Sequence, residues 1–589
     1  NARTGQRSTT ECSKLAWINL MVTEEVGADA PIFFGFFMKK KQTRKNKLTL
    51  KDEYKSIPKL LKEERYEEAE PLFDKFVAEQ SAENVGFSNL LNYGRLKVQR
   101  KKYSDAEKAA CLAISVEDKK VEAPELLLEI YMKQKAYVKA LKVADRLLEA
   151  APGSMPYKIN RISVLSNLTR SDEMISYWES VCEEHPEIAD MPGVQHGLLH
   201  ALLIDGRVDE ASEYFSKFKE GCNGEWSAWL ALNEPHILTG LGNFDGAIES
   251  LTHSMTMDPE NIIWQWNRGL VRLSNGNLEE GWNDYACRWS WPDFPSPERE
   301  ISLPLWEYQD LSAKSIVISA EQGLGDQVMF SVVIAAIIQM QPARIRVEVQ
   351  EKAISLFKLW YPECEIFAWA NNRDIDVELE STFDYHCPMA TAVSYFMNTR
   401  SAIDNLPRRH LKLAEHEKTS LLGEKFSKYP IKIGLCWRSA AVDGDRIGGY
   451  MSVAFCQKII EALPEQVGFV IVQYKFVESE REILEKYPNV FFPPEDLFDD
   501  ILLNAKYCAS CDVVVSAPTV VAQLCGVFGV PCITWSTYKS WVTLGFDSPP
   551  WFGNLLTIPH KINMAKGVMA DKILNILKSS VSKYFREAN

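Results

Sequence analysis

The chain has 589 residues, 46% hydrophobic and 25% charged, a balance typical of folded globular proteins. Its formal net charge is −14 and its one basic block lies at residues 38–47, which argues against nucleic acid as the main partner. A nucleotide ligand stays possible, because it needs only a local positive pocket. A single hydrophobic core is excluded at this length, and three or four domains are expected.

Cysteine usage and hydropathy predict a cytoplasmic protein without a membrane span. The 13 cysteines have neither disulfide-type nor metal-type spacing, as in a reducing compartment. One CxxC pair, Cys508 and Cys511, lies in an apolar stretch, and we interpret it as two small buried residues. No apolar run approaches the ~18 residues that a bilayer span needs.

Residues 1–37 differ in character from the rest of the chain, and Met38 with its three following lysines would be a natural start. The apolar run at 31–37 is short and has no basic region before it, so a secretory signal is not expected. We interpret 1–37 as a disordered leader or a gene-model extension.

Residues 50–290 contain an internal repeat. Each repeat contains a short motif in which one long or aromatic residue and two or three polar residues are followed by a small or medium-sized residue, here called the anchor. These anchors are Ala69, Ala106, Ala140, Met174, Ala211, Ala247 and Gly281. They recur every 34–37 residues, and Pro152, Pro186 and Pro259 each follow an anchor by 12 residues. This pattern resembles tetratricopeptide repeats, in which paired antiparallel helices stack into a superhelix.

The concave surface of such a superhelix usually binds a protein or an extended peptide, and a purely supporting scaffold is the alternative. Four tryptophans lie in the later repeats, at Trp226, Trp229, Trp264 and Trp266, and we interpret them as packing residues.

A proline-rich linker at 291–304 leads into two predicted α/β lobes, at 305–427 and 428–580. Strand-like segments alternate there with helical ones. The strand candidates are 316–319, 344–349, 366–367, 431–436, 469–473, 513–516 and 532–534. This alternation predicts parallel sheets with crossover helices, so that a ligand would bind between the lobes at the carboxyl ends of the strands.

In the first lobe, a strand runs into the sequence EQGLGD at 321–326, here called the glycine turn, and then into a helix. Gly323 and Gly325 are predicted to let the backbone turn tightly and to leave room for a ligand at the helix N-terminus. Asp326 could act on a bound substrate, or it could merely cap the helix.

Two segments of the second lobe end strands with polar side chains. Trp437, Arg438 and Ser439 close one strand, where an arginine is well placed to hold phosphate. Gln473 and Tyr474 close another strand.

A third segment of this lobe runs from a strand into a helix through Ser516, Pro518, Thr519 and Val520. Pro518 suits the first helical turn, Ser516 and Thr519 can cap or bind, and the helix dipole favours an anionic diphosphate. Each segment alone could be ordinary strand-end structure. The occurrence of all four within 210 residues is what predicts a site.

The order EQGLGD, GLCWRS, VSAPTVVAQLCGVFGVP and a tail with Trp541 and Trp551 resembles bacterial glycosyltransferases of GT-B fold that carry an N-terminal tetratricopeptide superhelix. These include flagellin-modifying enzymes, and protein O-GlcNAc transferases and heptosyltransferases are distant relatives. The resemblance covers residues 50–580. It implies an all-α superhelix followed by an α/β GT-B module of two Rossmann-like lobes, with the acceptor side at 305–427 and the nucleotide-sugar side at 428–580.

The resemblance further implies transfer of a hexosyl or nonulosonyl group from a nucleotide sugar, a substrate rather than a cofactor, to an acceptor hydroxyl. Asp326 would be the general base. Arg438 and the helix starting near Thr519 would stabilise the leaving diphosphate. Arg446 and Tyr450 match a family motif that borders the donor.

Two positions qualify these implications. Asp443-Gly-Asp445 spells the DxD motif that binds Mn²⁺ or Mg²⁺ in other transferases, but GT-B lobes generally stabilise diphosphate without metal, and none is expected. Gln523 stands where the family often has histidine. Glutamine cannot transfer a proton, although it can hydrogen-bond a base, a ribose or a sugar hydroxyl.

Three functions remain open. The first is a cytoplasmic protein O-glycosyltransferase whose repeats recruit the acceptor, with flagellin suggested by the resemblance. The second is a transferase for a lipid-linked or surface glycan, which predicts a basic or apolar membrane-facing patch. The third is a catalytically silent adaptor that binds a nucleotide or a partner, which Gln523 favours and Asp326 and Arg438 oppose. The sequence identifies neither the sugar, the nucleotide, the anomeric outcome, the acceptor nor the oligomeric state.

Overall fold

The structure is a computed structural model that describes residues 52–168, 171–222, 227–291, 294, 296, 298–299, 301–369, 373–440, 449–536, 540–559 and 566–587. The chain divides into two compact units, Asn1–Ala189 and Asp190–Asn589. The later repeats therefore belong to the same unit as both α/β lobes. The leader at 1–37, Trp226, the DxD motif and Arg446 lie outside the described residues.

The described part of the first unit is helical. Its α-helices are α1 (Ile57–Lys62), α2 (Tyr66–Glu79), α3 (Ala82–Val85), α4 (Phe87–Gln99), α5 (Tyr103–Val116), α6 (Glu122–Lys133), α7 (Tyr137–Ala150), α8 (Met155–Ser166) and α9 (Ser171–Glu184). Short 3-10 helices lie at Asp52–Ser56 and Pro186–Ile188.

The second unit begins with further helices of the same kind. They are α10 (Pro192–Ile204), α11 (Val208–Gly221), α12 (Ala228–Gly240), α13 (Phe244–Met257), α14 (Ile263–Asn275) and α15 (Leu278–Tyr285), followed by a 3-10 helix at Ala286–Ser290.

The helices confirm the predicted repeat, because every anchor is the fourth residue of a helix, in α2, α5, α7, α9, α11, α13 and α15. The alanine anchors and Met174 are fully buried. At Gly281, an added Cβ would lie 2.9 Å from Leu273 Cδ2 on α14, so the small side chain permits close helix approach. Pro152 and Pro259 stand two residues after the ends of α7 and α13. The first half is therefore a series of tetratricopeptide-like helix pairs.

The tight turn inside each pair places one residue in the left-handed region. In the first unit these residues are Glu64, Lys101 and Lys135, with φ of 56–57°, and in the second they are Gly206, Gly242 and Gly276, with φ of 78–86°. Each stands two residues before the next helix. The following amide donates back across the turn, as Lys102 does to the Lys97 carbonyl at 2.8 Å. This is the Schellman motif, in which glycine is the favoured residue.

After residue 300 the chain forms two sheets, and every strand pairing in them is parallel. The first has the order β3-β2-β1-β4 and the second β10-β9-β8-β5-β6-β7. The strands are β1 (Ser315–Ser319), β2 (Arg344–Val349), β3 (Glu365–Ala368), β4 (Tyr385–Pro388), β5 (Ile431–Cys436), β6 (Val467–Ile471), β7 (Val490–Phe491), β8 (Val513–Ser516), β9 (Cys532–Ser536) and β10 (Leu555–Pro559). The predicted α/β module is therefore present, and β4, β7 and β10 are strands that the sequence pattern missed.

Helices connect these strands, as the alternation predicted. They are α16 (Leu324–Phe330), α17 (Ile334–Gln339), α18 (Ile354–Trp360), α19 (Arg373–Thr382), α20 (Met389–Phe396), α21 (Arg400–Asp404), α22 (Glu415–Ser427), α23 (Val453–Ala462), α24 (Glu478–Leu484), α25 (Ile501–Ala509), α26 (Val520–Val527) and α27 (Lys566–Glu587). Short 3-10 helices lie at Ser331–Val333, Glu351–Ala353 and Trp541–Thr543.

One apolar core runs from the first sheet to one face of the second, because β1, β2, α25 and α26 all contribute buried side chains to it. A second core lies on the opposite face of the second sheet, where α27 packs against β5 and β6. The two lobes are thus joined through packed side chains. Of the helices that the structure describes, none has both the length and the apolar character to cross a membrane.

Candidate functional site

The glycine turn differs from the prediction in which residue takes the unusual backbone conformation. Gln322, with φ of 62°, occupies the left-handed region, whereas Gly323 has an ordinary extended backbone with φ of −75°. The prediction that the two glycines make the sharp turn is therefore wrong. The side-chain amide of Gln322 donates a hydrogen bond to the Tyr285 hydroxyl, which connects this residue to the last repeat.

Asp326 is the third residue of α16, and its carboxylate closes the start of that helix. The Gly323 N–H donates to Asp326 Oδ2 at 3.1 Å, which is half of a capping box. The capping role is thus present in the structure. It uses one carboxylate oxygen and is compatible with a second role for Asp326 toward a substrate.

Gly325 lies where the two lobes come into contact, and its φ is not in the left-handed region. An added Cβ there would lie 3.7 Å from the Val520 Cα atom, and α16 packs directly against α26. The N-terminal ends of two helices, one from each sheet, therefore meet at the carboxyl ends of β1 and β8. This is the convergence of the two lobes that the sequence pattern predicted.

The start of α26 is capped from within its own segment. The Val521 N–H donates to Thr519 Oγ1 at 3.3 Å, and the buried Ser516 hydroxyl donates to the Ala517 carbonyl at 2.7 Å. Pro518 lies one residue before the cap, so its predicted place in the first turn is wrong. It is exposed beside Gly449, whose added Cβ would come within 3.2 Å of it.

Gln523 lies on α26, four residues after Thr519. Its Oε1 atom is buried, and it accepts no hydrogen bond within the described part of the chain. A ligand hydroxyl or N–H group could supply the missing donor, which keeps Gln523 a candidate donor-binding residue.

Gln473 is a structural residue in this site. Its Oε1 accepts from the Trp437 and Arg438 amides at 3.0 and 3.1 Å, and its Nε2 donates to the Arg438 and Lys475 carbonyls at 2.8 and 2.9 Å. The side chain is 1% exposed. Three of these bonds hold the backbone that follows β5 and one holds the Lys475 carbonyl after β6, so Gln473 stabilises the ends of both strands.

Arg438 points its guanidinium toward a carboxylate on α24. Its Nη2 donates to Glu480 Oε2 at 2.5 Å, and its Nε donates to Glu480 Oε1 at 3.2 Å. The Trp437 indole N–H donates to the same Oε1 at 3.0 Å, and the Trp437 ring itself lies in the core. Glu480 is thus a component that sequence reasoning missed.

Tyr474 and Tyr450 border the same strand ends. The Tyr474 hydroxyl donates to Ser439 Oγ at 3.0 Å, and burial raises the Tyr474 pKa. Tyr450 is buried in the second core, and the next amide, of Met451, donates to the Trp437 carbonyl at 3.0 Å. Tyr450 therefore lies beside the end of β5, and its place at the border of the donor stays a prediction.

A buried ion pair stabilises the first residue of the glycine turn, Glu321. Arg288, just after the last repeat helix, donates from Nε to Glu321 Oε2 at 2.6 Å, and the Ala390 N–H donates to Glu321 Oε1 at 2.7 Å. Both charged side chains are nearly inaccessible. Glu321 in EQGLGD and Arg288, 33 residues before it, were the available sequence signals, but nothing in their spacing indicates that they pair.

The CxxC pair, Trp551 of the predicted tail and Asp500, which precedes α25, occupy structural positions. Cys508 and Cys511 are both buried, and burial raises the Cys511 pKa well above its ordinary value. Asp500 caps α25 by accepting from the Leu503 N–H at 2.9 Å. Trp551 is fully buried and donates to the Val542 carbonyl at 2.6 Å. The described residues contain no cluster of ligands that could hold a metal ion.

Comparison with known proteins finds no family whose profile matches the chain. Protein FlbA of Caulobacter vibrioides (strain ATCC 19089 / CIP 103742 / CB 15) is 26% identical over 436 residues, which are 68% of this chain and 69% of that protein. A tetratricopeptide repeat protein from Parabacteroides merdae ATCC 43184 is 16% identical with a TM-score of 0.36, covering 40% of this chain and 92% of its own. YrrB, described as a TPR protein with an unusual peptide-binding site, is 17% identical with a TM-score of 0.24, covering 33% of this chain and 95% of its own.

Proposed function

We propose that this chain is a glycosyltransferase that moves a sugar from a nucleotide-sugar donor to a hydroxyl group of a protein acceptor recruited by its repeats. The observation that carries the proposal is the close approach of Gly325, at the start of α16, to Val520, at the start of α26. It brings the helix that bears Asp326 against a helix N-terminus of the other sheet. Sheets of this kind bind their ligands at the carboxyl ends of the strands.

In this proposal, Asp326 accepts the proton of the acceptor hydroxyl as that oxygen attacks the anomeric carbon and the bond to the diphosphate breaks. The negative charge that develops on the leaving diphosphate is stabilised by Arg438 and by the partial positive charge at the start of α26. These groups need no metal ion to supply positive charge. The resemblance to glycosyltransferases with tetratricopeptide repeats supports the same assignment.

The repeats of the second unit offer a surface for the acceptor. Trp229 on α12 is 48% exposed, and its ring centroid lies 5.6 Å from that of His196 on α10. The Asn233 amide holds His196 by donating to Nδ1 at 2.8 Å. An exposed aromatic ring beside a fixed imidazole suits the recognition of a peptide segment.

The test begins with isothermal titration of the full-length protein with UDP, GDP, ADP, CDP and CMP, and with their sugar conjugates. One nucleotide is expected to bind. Its sugar conjugate is then offered to the wild type and to Asp326→Asn, with water serving as the acceptor hydroxyl, and the released nucleotide is measured. Asparagine keeps the oxygen that caps Gly323, so binding should persist while turnover falls by about 10²–10⁴-fold. Equal turnover in both proteins would remove Asp326 from the mechanism.

A silent adaptor is the second candidate. It is favoured by the pairing of Arg438 with Glu480 and by the capping role of Asp326, since both side chains already have structural partners. Absence of binding by every nucleotide and sugar conjugate would make this the better account. The Trp229 surface could then be tested alone, by capture of partners with the wild type and with Trp229→Ala.

A further inference from the structure

Glu480 holds Arg438 in a side-on, two-point ion pair. The Nη2–Oε2 distance is 2.5 Å and the Nε–Oε1 distance is 3.2 Å, and the two side chains are only 16% and 15% exposed. A two-point contact fixes the plane of the guanidinium, which a single contact would not do.

The carboxylate is itself anchored independently of Arg438. The Trp437 indole N–H donates to Oε1 at 3.0 Å, and the Val477 N–H at the start of α24 donates to Oε2 at 3.0 Å. Trp437 is 1% exposed. Glu480 is therefore a fixed support to which the arginine is attached, rather than a mobile counter-ion that follows it.

Glu480 stays ionised at neutral pH. Burial acts to raise its pKa, but the hydrogen bonds from Arg438, Trp437 and Val477 outweigh burial, and the pKa lies below its ordinary value. A second acceptor, the Ser439 carbonyl, takes one N–H of Arg438 Nη1 at 3.3 Å. Within the described part of the chain, these contacts use three of the five guanidinium N–H groups, and two remain for a ligand.

We infer that Glu480 is a positioning residue for the donor: it fixes the Arg438 guanidinium so that the two remaining N–H groups are presented to the diphosphate. The inference rests on the proposed function, since it needs a diphosphate as the ligand. Glu480 itself does not contact the ligand.

Removal of the Glu480 carboxylate should change diphosphate binding in the direction opposite to the one that simple electrostatics predicts. A carboxylate beside an anion site repels the anion, so its removal should strengthen diphosphate binding. If the carboxylate instead positions the arginine, its removal frees the guanidinium to sample other rotamers, and binding should weaken.

The experiment measures the Kd of the tightest-binding nucleoside diphosphate, chosen from UDP, GDP, ADP and CDP, for the full-length protein and its variants. Glu480→Gln is expected to raise the Kd about tenfold. Glu485→Gln is the matched control, because it removes the same charge from the same segment, where Glu485 pairs with the exposed Arg481. The control should change the Kd less than twofold. Glu480→Asp keeps the charge but shortens the reach, and it should also weaken binding.

A double-mutant cycle separates positioning from a merely structural role. In the Arg438→Lys background, Glu480→Gln should have no further effect on the Kd, because lysine has no planar fork to orient. Equal losses in both backgrounds, or tighter binding by Glu480→Gln, would overturn the inference while leaving donor binding intact. If the wild type binds no nucleoside diphosphate, the proposed function fails and the inference fails with it.

Discussion

The buried pair of Arg288 and Glu321 allows a quantitative test of how the glycine turn is supported. The two side chains are 3% and 1% exposed. Glu321 accepts three hydrogen bonds, from Arg288 Nε at 2.6 Å, from Arg288 Nη2 at 3.2 Å and from the Ala390 N–H at 2.7 Å. Glu321→Gln removes the charge and puts an NH₂ group in the place of one acceptor.

The expected cost follows from what remains buried. Breaking a buried pair by removing one partner typically costs about 3–5 kcal/mol, because the other charge stays in the interior uncompensated. Glutamine keeps one oxygen, so the loss should fall near the lower end, about 3 kcal/mol. At ~1.4 kcal/mol per factor of ten, the protection of β1 amides against hydrogen exchange should fall more than 100-fold.

Hydrogen exchange read by mass spectrometry suits a chain of two units, because each peptide reports on its own region. The control is Glu365→Gln, which breaks a two-point pair with Arg344 of nearly the same geometry, at 2.8 and 3.0 Å, but with side chains 45% and 38% exposed. It should cost less than about 1 kcal/mol. Equal effects of the two substitutions would refute the argument from burial.

Three further predictions test the repeats and the core by thermal unfolding. Lys135→Gly should stabilise the protein by about 0.5–1 kcal/mol, because the φ of 57° at this turn favours glycine. Gly242→Ala should destabilise the protein by about 1 kcal/mol, because φ is 80° there although the space around it is open. A change in stability of the same sign for both substitutions would contradict this reasoning. Burial acts to raise the Glu70 pKa, but its lysine partners lower the pKa to about 2. The stability that Glu70 contributes above pH 4.5 should therefore be lost as the pH falls toward 2. A Glu70→Gln variant should lack that part of the pH dependence. Gly526→Ala should destabilise by about 1–3 kcal/mol, because its Cβ would lie 2.3 Å from the Phe552 ring, and an unchanged melting temperature would mean that the ring can move away.

The repeats show how far local pattern reaches. A helix pair repeats its small contact residue at intervals of 34–37 residues, and each of the seven predicted anchors is the fourth residue of a helix. The strands β2, β5 and β8 have the predicted bounds, because buried parallel strands are short runs of apolar, β-branched residues. The strands β4, β7 and β10 carry no such run. His386 and Pro388 lie in β4, and β7 is only two residues long.

In the candidate site, the sequence pattern predicted which segments meet but not the role of each side chain. The order of the motifs predicted that the glycine turn and the segment at 516–523 would converge, and Gly325 does lie against Val520. The order did not predict how each polar side chain is used. The Gln473 side chain forms four hydrogen bonds with the backbone. The residue of the glycine turn that adopts the left-handed conformation is Gln322.

By itself, the sequence determined the repeat period, the alternation of strand and helix, and the segments that end at one edge of each sheet, because these depend on residues a few positions apart. Only the tertiary structure decided the partners of the charged groups. Arg438 and Glu480 are 42 residues apart, and Arg288 and Glu321 are 33 apart. Such pairs form because tertiary packing brings the two side chains within hydrogen-bond distance, and the local spacing of residues in the chain does not indicate that contact.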